Sequence, residues 1–140
     1  MERPVKTAYL DACAVIYLLE ATSSLQALVR SRISELRDEG LETLMTSSLS
    51  RLECRVKPLR DGDAALLNLY DRFFASANLR TAAVSDAVIE RATELRARHG
   101  FKTPDSIHLA TAIEGGAQLF VTGDADLARC TEIAVEVVAE

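Results

Sequence analysis

Four acidic residues stand where the chain changes conformation. Asp11 follows Tyr9-Leu10, Glu53 closes Ser48-Leu49-Ser50-Arg51-Leu52-Glu53, Asp105 follows Thr103-Pro104, and Asp124 lies in Thr122-Gly123-Asp124-Ala125-Asp126. Two unit charges about 4 Å apart repel by roughly 4 kcal/mol at an effective dielectric of about 20. Carboxylates gathered in one cleft therefore either hold protons at raised pKa or hold a divalent cation. The cation reading leads to phosphoryl transfer or hydrolysis. Each residue also has a plainer use. Asp11 suits a helix N-cap, and Glu53 suits an exposed helix charge paired with Arg51 or Lys57. Asp105 suits the first turn of a helix, where the dipole favours negative charge. Asp124 suits a turn, with Asp126 capping a short helix. The chemical reading needs a fold that brings all four together.

The elements that would do so are legible in the hydrophobic pattern. Val5 to Leu10 reads as a strand and 12–20 as a helix apolar nearly all round, hence buried. Ser23 or Ser24 caps a second helix that ends at Gly40. Leu41 to Thr46 reads as a strand, followed by a helix from Ser47 or Ser48 that carries Glu53 and breaks near Pro58. Asp61 or Asp63 opens a helix through Leu66, Leu67, Tyr70 and Phe74. Leu79 to Val84 reads as a strand. Ser85 caps an amphipathic helix with Val88, Ala92 and Leu95 on one stripe, ending at His99-Gly100. Thr103-Pro104 starts the next helix, with proline favoured at its first position, and Gly115-Gly116 ends it. Leu119 to Thr122 and Ile133 to Val138 are the last strands. This alternation predicts an α/β fold with a mostly parallel sheet and helices on both faces. Sites in such sheets form outside the carboxyl ends of the strands. Asp11 and Asp124 fall just past such ends, and Glu53 and Asp105 fall in early turns of helices that regular crossovers would start on the same side.

The bulk numbers narrow the function class. The 140 residues suit one domain, 1–140. No apolar run approaches the roughly 20 residues that span a bilayer, and no signal-peptide pattern follows Met1, so the expected location is the cytoplasm with no membrane partner. Cys13, Cys54 and Cys130 form no C-x-x-C, which disfavours a structural zinc site, and their apolar contexts suit small buried residues. A net charge of −5 argues against a broadly basic nucleic-acid surface but leaves room for a local basic patch. The chain lacks G-x-G-x-x-G after its first strand, the Walker pattern and G-x-S-x-G.

Together the four segments resemble the PIN-domain ribonucleases, most closely the VapC-type toxins of toxin–antitoxin pairs. The resemblance covers essentially the whole chain, and Thr103-Pro104-Asp105-Ser106-Ile107-His108-Leu109-Ala110-Thr111-Ala112 is its most specific segment. Leu127, where an aromatic is frequent in the family, and Cys13, where a polar residue is common, depart from the pattern. The resemblance implies a PIN-like three-layer α/β/α sandwich. It implies Asp11, Glu53, Asp105 and Asp124 as the catalytic quartet, with Asp11, Asp105 and Asp124 as metal ligands and Thr122 and Asp126 supporting them. It further implies a Mg2+- or Mn2+-dependent endoribonuclease acting on structured RNA such as tRNA or rRNA, a cognate antitoxin and a homodimer. His108 is expected to pack near Asp105 without a proton-transfer role. Arg51, Arg55, Lys57 and Arg60 around Glu53, and Arg96, Arg98 and Lys102 before Asp105, are candidates for phosphate contacts, although helix-face cations are more often simply solvated. Two other readings stay open at this point. One is a non-catalytic PIN-like module that binds RNA or protein. The other is a receiver-like phosphoacceptor domain, for which Lys102 is misplaced.

Overall fold

The structure, a computed structural model, describes residues 4–20 and 24–140. Five strands, β1 (Thr7–Leu10), β2 (Thr43–Ser47), β3 (Leu79–Ala82), β4 (Leu119–Thr122) and β5 (Ala134–Val137), pair in parallel in the order β3-β2-β1-β4-β5. The helices are α1 (Ala12–Leu19), α2 (Ser24–Asp38), α3 (Ser48–Asp61), α4 (Ala64–Phe74), α5 (Asp86–His99) and α6 (Thr103–Glu114), and a 3-10 turn spans Ala125–Arg129.

The alternation of side chains along a strand sorts the core into two layers. On β1, Ala8 and Leu10 pack with Val15, Val29, Leu36 and Cys54 under α1 to α4. Tyr9, between them, packs with Leu95, Phe101, Leu109 and Phe120 under α5 and α6. The chain is therefore a three-layer α/β/α sandwich. Central strands buried on both faces read as continuous apolar runs, and β4, Leu119-Phe120-Val121-Thr122, is buried along its whole length. Among the described residues no single helix is long and apolar enough to cross a membrane.

The topology sets up a site. From β1 the chain moves to β2 and β3 on one side, while β4 and β5 lie on the other. Strand order thus reverses between β1 and β4, where open α/β sheets form their ligand crevices. Asp11 and Asp124 follow these two strands. Helix α6 ends at the opposite edge, where Gln118 Oε1 accepts the Lys6 and Thr7 N–H groups at 2.9 and 2.8 Å. A helix of 12 residues is about 18 Å long, so the start of α6 reaches the carboxyl edge and carries Asp105 there.

Two local expectations need correction. Helix α3 does not break at Pro58 but runs on to Asp61. Pro58 sits buried in its last turn, and the helix stops instead at Gly62, whose φ of 69° is left-handed and suits a residue without Cβ. Pro104 occupies the second helical position rather than the first, because Lys102 is the N-cap of α6. Helix α2 closes as expected just before Gly40, whose φ is 112°, with the Leu41 N–H returning to Leu36 O at 2.9 Å. The Ser23 cap lies outside the described residues.

Candidate active site at the carboxyl edge of the sheet

Asp11 is the most buried of the four acids, 5% exposed. Its Oδ1 accepts the Ala14 N–H at 2.9 Å, so it does cap α1. Its Oδ2 accepts the Thr122 hydroxyl at 2.5 Å. Thr122 Oγ1 in turn accepts the Asp124 N–H at 3.0 Å. One hydroxyl at the end of β4 thus links the two acids across the switch point. Burial raises the Asp11 carboxyl above its ordinary value, the Thr122 and Ala14 bonds pull it back, and the Asp105 charge adds to the rise. The plain and the chemical readings of Asp11 are compatible, since one oxygen caps while the other faces β4.

Asp105, in the first turn of α6, is also raised, first by burial and then by the Asp124 charge, with Glu53 adding to it and His108 and Lys102 opposing. Asp124 Oδ1 accepts the Asp126 N–H at 2.9 Å and caps the 3-10 turn. The cap of that turn is therefore Asp124, not Asp126. Asp126 turns away to Arg129, with Nε–Oδ1 at 2.7 Å and Nη2–Oδ2 at 3.0 Å, a fork that holds its carboxyl below the ordinary range. Asp126 thus touches the site through its backbone N–H on Asp124 while its carboxylate is held by Arg129, whereas Thr122 touches both Asp11 and Asp124.

Glu53 does not pair with Arg51 or Lys57. Its Oε1 lies 2.5 Å from His108 Nε2, and His108 Nδ1 lies 2.6 Å from the Tyr9 hydroxyl. Helix α3 is seated for this by polar contacts to β1 and α1. Thr46 donates to Leu10 O at 2.7 Å, which leaves Ser50 to donate to Thr46 Oγ1 at 2.8 Å. Cys54 Sγ approaches Ala12 O at 3.8 Å.

Other residues at the edge carried weaker sequence signals. Gly123 is one: a Cβ there would lie 2.5 Å from Tyr17 Oη and 2.7 Å from Cys13 Sγ. Cys13 is accordingly half-buried beside the site rather than a core residue, with its sulfur and the Tyr17 hydroxyl both against Gly123. The spacing of Tyr17 and Cys13, one turn apart in α1, was the available clue. Most of the candidate phosphate-binding cations have structural partners. Arg55 pairs with Asp71 at 3.1 Å, Arg60 with Asp61 at 3.6 Å and Arg98 with Glu132 at 2.9 Å, while Arg96 donates to Phe101 O at 2.6 Å. Arg51 is exposed and makes no ion pair among the described residues.

Residues 8–133 match the PIN domain family model. The chain belongs to the PIN-domain family. The PIN fold is shared with VapBC2 from Rickettsia felis, in a complex bound to a promoter DNA fragment, at a TM-score of 0.76 and 16% identity, covering 94% of this chain and 98% of that one. A toxin–antitoxin complex from Klebsiella pneumoniae gives 0.72 and 19%, covering 95% and 98%. VapC20 from Mycobacterium tuberculosis, a toxin that cleaves the sarcin–ricin loop, gives 0.70 and 18%, covering 87% and 93%. No curated protein sequence matches this PIN domain.

Proposed function

We propose that this PIN domain is a metal-dependent endoribonuclease, the toxin of a toxin–antitoxin pair, acting in the cytoplasm on structured RNA such as tRNA or rRNA. The observation that carries the reading is the Thr122 hydroxyl bridge that sets Asp11 beside Asp124 at one sheet edge, with Asp105 brought to the same edge by α6. Asp105 is raised by Asp124, and Asp11 by Asp105, on top of their burial. Among the described residues no three His, Cys, Asp or Glu side chains form a ready-made metal cage. That arrangement still fits Mg2+ or Mn2+ in its donor chemistry, because Mg2+ keeps several waters and takes few protein oxygens. Asp11, Asp105 and Asp124 would hold the ion, directly or through water.

A divalent ion bound there would supply Lewis acidity toward phosphate oxygens and a more acidic water. The protein's own part is positioning. Thr122 keeps one Asp11 oxygen in register with Asp124. Asp105, in the first turn of α6, brings its carboxyl to the same edge as a further oxygen donor. Glu53, held through Oε1, keeps Oε2 to accept a hydrogen bond from an attacking water. Arg51, exposed on α3 and without an ion pair among the described residues, would meet an RNA phosphate.

The partners follow from the same surface. Leu52, Val56 and Leu59 form an exposed apolar stripe along α3, at 59%, 49% and 68% exposure. Such a stripe suits a protein partner, and the fold is shared with toxin–antitoxin complexes. The reading assigns it to a cognate antitoxin or to the second subunit of a homodimer.

The test is incubation of purified total RNA with the protein in Mg2+, in Mn2+ and in EDTA, beside Asp11→Asn. Discrete fragments that need the metal and vanish in the variant are expected. Intact RNA in every condition, from folded protein free of inhibitor, would move the site to a binding-only role.

A further inference from the structure

The strongest feature outside the expected quartet is a buried chain of hydrogen bonds from Tyr9 through His108 to Glu53. Tyr9 is 0% and His108 3% exposed, and Glu53 sits at the margin of the solvent face of α3, between exposed Leu52 and buried Cys54. A glutamate on such a helix face would ordinarily extend into water or toward a neighbouring cation. Here it is drawn inward, its Oε1 at 2.5 Å from His108 Nε2.

The geometry points to Tyr9 and His108 as positioning residues that lock the Glu53 carboxylate in register with Asp11 and Asp105. An ionised carboxylate only accepts, so Nε2 must carry the proton. Which nitrogen of a histidine is protonated is set by the bond at the other. That bond is Tyr9 Oη to Nδ1 at 2.6 Å. Tyr9 itself has little freedom. Its ring stacks on Phe120 with centroids 5.1 Å apart and planes 12° apart, and it meets the His108 ring edge-on. Burial and nearby carboxylates keep its hydroxyl protonated.

The clamp uses the elements that carry the other acids. Tyr9 lies two residues before Asp11, and His108 lies three after Asp105, one turn along α6. Glu53 arrives on a separate helix, fixed by Ser50 and Cys54 only through its inward face. The clamp is what makes its carboxylate a fixed part of an edge defined by β1 and α6.

Two readouts test this. One, nitrogen-15 NMR of the metal-free full chain labelled at its two histidines, is independent of activity. The expected result is a protonated Nε2 at His108 at every pH at which the chain is folded, with Tyr9→Phe shifting the ring toward a mixture of tautomers. A bare Nε2 in the wild type, or an unchanged ring in Tyr9→Phe, overturns the inference. The other readout rests on the ribonuclease reading. A misplacement of about 1 Å costs on the order of 10²-fold in rate, so His108→Leu is expected to lose that in kcat with KM nearly unchanged. His108→Gln, which keeps an N–H within reach of Glu53, should restore part of it. In a Glu53→Gln background His108→Leu should cost nothing further, whereas additive losses overturn the inference. Should His108→Leu fail to fold, the same cycle run with Tyr9→Phe decides. Absence of cleavage by the wild type removes the ribonuclease reading and leaves the nitrogen signal to judge the clamp.

Discussion

Thr122 Oγ1 donates to Asp11 Oδ2 at 2.5 Å and accepts the Asp124 N–H at 3.0 Å, so a single hydroxyl spans the point where strand order reverses. Thr122→Val keeps the shape and removes both bonds. A hydrogen bond to a charged group is worth about 1.5–3 kcal/mol, so a stability loss of that order is expected, with the Asp11 carboxyl rising further. RNA cleavage should fall by at least tenfold. Thermal melting and a cleavage assay check both, and a variant as stable and active as the wild type would remove Thr122 from the site.

The raised carboxyls give the metal-free protein an unusual pH profile. Asp11 and Asp105 both bind their protons more tightly folded than unfolded, against a reference value of 3.8. Their contribution to stability is therefore complete below that value and is lost as pH rises through the raised folded values. Asp105→Asn lacks its share of the loss. Its melting temperature should match the wild type most closely below pH 3.8 and exceed it increasingly above. Added Mg2+ or Mn2+ should stabilise the wild type, by about 2.7 kcal/mol at a hundred times its dissociation constant, and the variant less. A variant that becomes less stable than the wild type as pH rises contradicts the repulsion argument.

Gly123 is required by crowding rather than by its φ. The added methyl of Gly123→Ala would meet Tyr17 and Cys13 at 2.5 to 2.7 Å. Overpacking of this kind costs roughly 1–3 kcal/mol, and relief by shifting the strand end would displace Thr122 and Asp124. Both a lower melting temperature and weaker cleavage are expected. Tyr17→Phe in the same chain should recover part of the stability by removing one clashing atom.

Among the cations near Glu53, Arg51 and Arg55 should separate. Arg55 is committed to Asp71, while Arg51 has no ion pair among the described residues. Arg51→Ala should weaken RNA binding across sequences and lower the salt slope by about one. Arg55→Ala should do less. Filter binding with Asp11→Asn protein at several salt concentrations, which avoids cleavage, measures this. Equal effects of the two substitutions would mean that the Asp71 pair does not hold in solution.

Much of this protein is written locally. The strand and helix order follows from apolar periodicity, and the caps at Ser85 and Asp63 follow from short polar side chains before apolar helices. The acids Asp11, Asp105 and Asp124 sit at element ends that a parallel topology must bring to one edge. What short-range pattern cannot carry is the choice of partner. His108 and Glu53 are 55 positions apart, and Tyr9 and His108 are 99 apart. Nothing near Glu53 in the chain distinguishes an exposed helix charge from one drawn inward, because Arg51 and Lys57 both lie within about one helical turn of it. Asp126 reads like a second site acid until Arg129, three residues on, takes it. Pro58 reads as a break, yet it sits within the last turn of α3, which continues to Asp61 and stops at Gly62. Local pattern is enough to say which residues are available at the carboxyl edge. Only the packing of α6 against β1 and α3 decided which of them touch, because those contacts depend on the registry of elements far apart in the chain.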